Sequence, residues 1–110
     1  MKRYRVVMTK DADQDLLDID AYLSKSDSFE RADYVIGNLE QTISSLDRLP
    51  QRGHMPLQLL ELGITDYLEI HWKPYRIVYQ IKSNVVYIHG VFDGRRDMVK
   101  VFQERLLSAL

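Results

Sequence analysis

The chain contains no cysteine, which excludes disulfide staples, thiolate zinc sites and thiol catalysis together. It also lacks a surplus of positive charge: 15 Lys and Arg stand against 16 Asp and Glu, a formal net charge of −1. Proteins that seek nucleic acid usually carry a basic excess, so polycationic binding to RNA or DNA is not expected. No apolar run is long enough for a membrane span or a signal peptide. Lipidation needs a second-position glycine or a C-terminal cysteine box, and neither is present. Glycine-rich phosphate loops, paired-histidine metal motifs and nucleophile elbows are missing as well. With only three histidines, no metal site and no cofactor are expected. The simplest expectation is a soluble cytoplasmic protein with no membrane partner.

What is present is ordinary globular material. Hydrophobic residues make up 45% and charged residues 28% of 110 positions, enough to build one core and too few residues for two. A single domain spanning residues 1–110 is therefore expected. The charge is unevenly spread. Residues 9–48 hold four basic side chains (Lys10, Lys25, Arg31, Arg48) against ten acidic ones, a net −6, which leaves +5 for the rest. Segregation of this kind can produce a molecule with two electrostatic faces. It also suits two helices that simply turn charged faces to water.

Periodicity divides the chain. Residues 3–8 mix β-branched and aromatic types and read as a strand. Ala12, Leu16, Ile19 and Leu23 then recur at helical spacing, with Asp11 and Gln14 as a capping pair. Ala32, Ile36, Leu39, Ile43 and Leu46 form a second stripe, opened by Asp27 and Glu30 and stopped by Pro50. The two helices make an antiparallel hairpin. Pro50, Gly53 and Pro56 mark a surface loop around Arg52 and His54. Three strands follow at about 66–72, 75–81 and 85–92, joined by the two-residue turns Lys73-Pro74 and Ser83-Asn84. Met98, Val101, Phe102 and Leu106 return to helical spacing after Asp97, a plausible cap. The expected fold is α+β in the order β-α-α-β-β-β-α, an antiparallel sheet covered on one face by the hairpin and followed by a C-terminal helix.

Two-residue turns fix a register in which His71 faces Arg76, Lys82 faces Val85 and Val78 faces His89. One sheet face then collects Leu68, Ile70, Trp72, Tyr75, Ile77, Tyr79, Ile81, Val86, Ile88 and Phe92, a core. The other collects Tyr67, Glu69, His71, Arg76, Val78, Gln80, Tyr87, His89 and Val91. An acid, two imidazoles and an arginine on one surface can run phosphodiester chemistry on RNA. Glu69 or His71 would take a proton and Arg76 would hold the phosphate. The same residues also make sense as cross-strand partners, with a diagonal Glu69–Arg76 ion pair. Arg95 and Arg96, at a strand exit, can grip a phosphate or carboxylate, or brace the turn through Asp93 and Asp97.

At Tyr75-Arg-Ile-Val-Tyr-Gln-Ile81, with 86–92 and Asp93-Gly-Arg-Arg-Asp97 behind it, the sequence resembles toxins of the RelE/ParE superfamily, of the plasmid-stabilisation type. The resemblance extends over the acidic hairpin, the Leu49-Pro50 exit and the terminal helix. It implies the toxin of a type II toxin–antitoxin system, neutralised by a cognate antitoxin in a hetero-oligomer. RelE-like members cleave messenger RNA on the ribosome, whereas ParE-like members poison DNA gyrase. Arg76 matches the phosphate-contacting arginine of RelE-like toxins, and Arg96 falls near their second arginine. Glu69 and His71 stand where a lysine pair would, Phe102 replaces a tyrosine, and residues 106–110 offer no terminal His or Tyr. Arg95-Arg96-Asp97, Ala12-Asp-Gln-Asp-Leu16 and Ala32-Asp33-Tyr34 resemble ParE-like segments. The resemblance thus implies a ParE-like gyrase inhibitor that is not an enzyme, with Arg95, Arg96, Asp97 and Phe102 as partner contacts. The alternative is a ribosome-dependent endoribonuclease using Arg76, Glu69 and His71. A diverged member that only binds its antitoxin is the third possibility. An apolar terminal helix and an open sheet edge are the expected antitoxin docking surfaces.

Overall fold

The computed structural model describes residues 2–108, with side chains through residue 105. Its elements are β1 (Arg5–Met8), α1 (Lys10–Ser26), α2 (Phe29–Ser44), α3 (Leu57–Leu60), β2 (Leu68–Trp72), β3 (Tyr75–Lys82), β4 (Val85–Asp93) and α4 (Met98–Ser108). Short 3-10 turns at Ser45–Asp47 and Pro50–Arg52 lead out of the hairpin.

The helices start at hydroxyls rather than at the acidic pairs. Thr9 Oγ1 accepts the Ala12 N–H at 3.2 Å and opens α1, and Ser28 Oγ accepts the Arg31 N–H at 3.0 Å and opens α2. Asp11, Asp13 and Glu30 lie in the first turns instead, where a carboxylate still favours the positive end of the helix dipole. Asp97 does cap α4, with Oδ1 accepting the Lys100 N–H at 3.2 Å.

The sheet runs β1-β4-β3-β2. The pairs β2–β3 and β3–β4 are antiparallel, whereas β1 lies parallel to β4. The sheet is therefore mixed rather than wholly antiparallel, because α1 and α2 carry the chain across one face before it returns. Both tight turns sit where expected: Trp72 pairs with Tyr75, and Lys82 with Val85. The register slips once. Tyr79 pairs with Ile88 but Val78 pairs with Gly90 rather than His89, which places a β-bulge at His89. One extra residue reverses every later side chain. Val91 consequently joins the hairpin-side core, and Phe92 crosses to the opposite face.

Two cores result. Under the hairpin, Ala12, Val35, Leu39, Ile43 and Leu46 pack on Tyr75, Ile77, Tyr79, Val86, Ile88 and Val91. On the far face Val78 and Phe92 are covered by Leu59 from α3 and by Met98, Val101 and Phe102 from α4. The terminal helix is thus seated on its own sheet rather than left apolar and open. The Leu106 side chain and residues 109–110 lie outside those described.

The bulge creates a problem that the structure resolves with two distant charges. Beyond Met8, β1 ends, and among the described residues no strand neighbours the second half of β4 on that side. Asp15 of α1 accepts the Val91 N–H through Oδ2 at 2.9 Å, and Arg105 of α4 donates to the His89 carbonyl at 2.9 Å. Arg105 and Asp15 close on each other at 2.6 Å. Side chains thereby replace the missing strand and satisfy an edge that would otherwise invite pairing. Gly90 makes the approach possible: a Cβ there would collide with the Phe92 ring and lie 2.9 Å from an Arg105 guanidinium nitrogen.

Candidate functional site

Glu69, His71 and Arg76 come together on the far face, as their register requires. Glu69 and His71 are two apart on β2 and share a face, and Arg76 is the direct partner of His71 on β3. The Glu69 carboxylate is buried, at 3% exposure. Its Oε2 accepts from Arg76 Nη2 at 2.6 Å and from Nε at 3.2 Å, and His71 Nε2 meets Oε1 at 2.6 Å. The expected diagonal Glu69–Arg76 pair is present. Burial pushes the Glu69 carboxyl up, but the hydrogen bonds and charge of Arg76, together with His71, outweigh it and hold the group below its ordinary range.

Two members of this cluster escape sequence reasoning. Gln58, in α3, accepts from Arg76 Nη2 at 3.0 Å. His54, from the loop before α3, places Nε2 3.2 Å from Glu69 Oε1 and packs edge-on against the His71 ring at 5.2 Å. A backbone bridge holds it there, with His54 N–H to Glu69 O at 3.1 Å and Glu69 N–H to His54 O at 2.7 Å. The breakers around His54 signal a loop but not its landing place.

The remaining polar groups of the far face have other tasks. His89 Nε2 bonds Gln80 Oε1 at 2.8 Å, and Gln80 in turn donates to Asp66 at 2.6 Å. Burial pushes the His89 imidazole below its usual value. Tyr67 lies against His89 and Phe102, and burial raises its phenol.

The second group of candidates does not form one site. Arg95 is bound to Asp93 of its own turn, with Nε–Oδ1 and Nη2–Oδ2 both at 3.1 Å. Asp97 caps α4. Phe102 is a core residue, packed edge-on against the Phe92 ring and tilted against Tyr67. Arg96 is exposed and lies over the Phe92 ring at 5.9 Å, on the rim of a small cleft shared with Asp15, Asp18, Tyr22, Tyr75 and Asp93. Two of the candidate arginines are thus neutralised from within, Arg76 by Glu69 and Arg95 by Asp93. Large exposed apolar side chains lie instead on the acidic hairpin (Leu17, Tyr22, Phe29, Tyr34) and around α3 (Leu57, Leu62).

An acidic two-helix hairpin over one sheet face, with a terminal helix on the other, defines the architecture of the RelE/ParE toxins. It superimposes on a chromosomal ParDE toxin–antitoxin system from P. aeruginosa with a TM-score of 0.70 at 13% identity, covering 84% of this chain and 98% of that one. The toxin–antitoxin complex RelBE2 from Mycobacterium tuberculosis gives 0.62 at 21% identity, covering 84% and 93%. At such identities the likeness speaks to the fold. No curated protein sequence matches the chain. The family described as "ParE toxin of type II toxin-antitoxin system, parDE" matches residues 6–98, and the chain belongs to it.

Proposed function

We propose that the protein arrests growth by binding DNA gyrase and poisoning it, without hydrolytic chemistry of its own, and that a cognate antitoxin neutralises it in a hetero-oligomer. The observation that carries this reading is the internal commitment of Arg76. A nuclease arginine must reach a phosphate, yet Arg76 is held by a buried carboxylate at 2.6 Å and by Gln58 at 3.0 Å. Glu69, at 3% exposure, is too enclosed to take a proton from a substrate hydroxyl. Membership of the ParE family supports the same reading. So does the charge: ribosomal RNA rewards many cationic contacts, and a −1 chain with paired arginines offers few. Among the described residues no helix is long and apolar enough to cross a membrane, and a gyrase target entails action in the cytoplasm.

One observation favours ribosome-dependent RNA cleavage instead. The His71 and His54 imidazoles, with side-chain exposures of 38% and 63%, flank the Glu69–Arg76 pair and are reachable from outside. The two readings separate when purified protein is added to a gyrase supercoiling assay and to ribosomes translating a labelled message. Blocked supercoiling with intact message supports gyrase poisoning. Intact supercoiling with codon-linked cuts overturns it.

The exposed Leu17, Tyr22, Phe29 and Tyr34 on the acidic hairpin suit an antitoxin segment that is apolar and basic. Tight binding to the folded toxin must raise its melting temperature. An unchanged Tm at saturating antitoxin would count against a complex with the native fold.

A further inference from the structure

We propose that His54, Glu69 and His71 form a binding site for a borderline-soft divalent cation such as Zn2+, which would join the loop before α3 to the outer strand of the sheet. This inference is independent of which target the toxin engages.

The donor set is two imidazoles and one carboxylate, and one ligand atom from each lies within 4.8 Å of the others. Two imidazole nitrogens converge on a single oxygen: His71 Nε2 at 2.6 Å and His54 Nε2 at 3.2 Å from Glu69 Oε1. Ligands at tetrahedral zinc stand about 3.3 Å apart, given metal–ligand bonds near 2.0–2.1 Å. The His54–Glu69 spacing already fits that geometry. The His71–Glu69 spacing must open by about 0.7 Å to reach it, a small rotation for a half-exposed ring.

The positions are set by backbone structure rather than by loose surface side chains. Glu69 and His71 project from one strand face, and His54 is tied to Glu69 by the two backbone hydrogen bonds of its bridge. Gly53 permits that bridge, because a Cβ there would collide with the Tyr79 hydroxyl and crowd the Glu69 carbonyl at 2.9 Å. Arg76 closes on Oε2 at 2.6 Å and reaches Oε1 only through Nε at 3.3 Å, which leaves Oε1 facing the imidazoles, as an outer-shell partner orients a ligand. The site opens onto a cleft lined also by Thr42 and Arg52, which leaves a route of entry and room for a water as fourth ligand.

Donor chemistry sets the selectivity. Imidazole nitrogen suits Zn2+, Ni2+ and Cu2+, whereas Mg2+ and Ca2+ take oxygen cages. Charge sets the strength. Arg76 cancels the carboxylate's attraction, so binding in the micromolar range is expected rather than the tight grip of an all-anionic site.

The test titrates tag-free protein, stripped with EDTA, with ZnCl2. At a hundredfold excess over Kd the melting temperature should rise by about 10 °C, and EDTA should reverse the rise. MgCl2 should leave Tm unchanged. His54→Ala and His71→Ala should each lose most of the rise, whereas His89→Gln, which removes the remaining histidine, should keep it. A second readout needs no variant: 15N shifts of the His54 and His71 imidazoles should move with Zn2+ while those of His89 stay. Zn2+ that leaves both Tm and these shifts unchanged would overturn the proposal, as would an equal response at all three histidines.

Discussion

Among the described residues two largely buried carboxylate–arginine pairs close at 2.6 Å, and although burial pushes both carboxyls up, they end on opposite sides of their ordinary values. Asp15 meets one guanidinium and one backbone N–H. Burial outweighs those partners and raises its carboxyl above the ordinary value. Glu69 meets Arg76 through three contacts within 3.3 Å and has two imidazoles beside it. There the partners win, and the carboxyl is lowered. The hydrogen bonds a buried acid receives, set against its burial, decide which way its carboxyl moves. The pairs also differ in task. Asp15–Arg105 closes the open edge of β4 at the bulge, while Glu69–Arg76 ties β2 to β3 on the far face and reaches Gln58 of α3.

That contrast can be broken by substitution. Glu69→Ala leaves Arg76 with only 12% of its side chain exposed and without its counter-charge, so urea unfolding should show a loss of about 3 kcal/mol. Gly90→Ala drives a methyl into Phe92 and Arg105, and about 2 kcal/mol should be lost to overpacking. Asp15→Asn should also cost about 2 kcal/mol, because the amide oxygen can still accept from Val91 but Arg105, with 18% of its side chain exposed, loses its counter-charge. Its pH dependence carries a sign. A raised folded pKa means that the native state holds a proton the unfolded chain has released, so native Asp15 is favoured as pH falls through that raised value. The deficit of Asp15→Asn relative to the wild type should therefore widen on acidification from pH 7.

His89 gives the smallest and most specific effect. Its folded pKa is lowered by burial, with Lys82 and Arg105 adding to the shift and Asp66 and Asp11 opposing it. The stability it contributes is complete above the unfolded value of about 6.5 and is lost as pH drops below it. His89→Gln should flatten that part of the profile, measured as Tm against pH from 7.5 to 5. An unchanged slope would show that His89 is not held neutral by the fold.

Much of this was legible in the amino-acid order, because short-range rules govern it. Helical stripes at Ala12–Leu23 and 32–46, two-residue turns at 73–74 and 83–84, and the pairing of His71 with Arg76 all follow from local periodicity. The bulge at His89 does not. Gly90 inside a strand pattern is compatible with a bulge but does not say which residue is inserted, and strict alternation puts Phe92 and Val91 on the wrong faces. The partners that stabilise the bulge, Asp15 and Arg105, stand 90 residues apart, beyond the reach of any spacing rule. Asp15 reads as one more acid on a solvated helix until the sheet edge is seen beside it. The site was half legible: β register joins Glu69, His71 and Arg76, but His54 and Gln58 arrive from a loop and a one-turn helix. The resemblance named the superfamily, while the standing of Arg76 as an internal partner needed the side-chain contacts.

The most direct measurement is gyrase supercoiling in the presence of the doubly substituted Glu69→Gln, Arg76→Gln protein. Replacing both members of a buried pair by neutral groups is far less costly than removing one, so the fold should persist, as circular dichroism and Tm will report. The account predicts that this protein inhibits supercoiling as the wild type does, since Arg76 serves the fold. Loss of inhibition and of growth arrest with the fold intact would contradict it and return Arg76 to the functional surface.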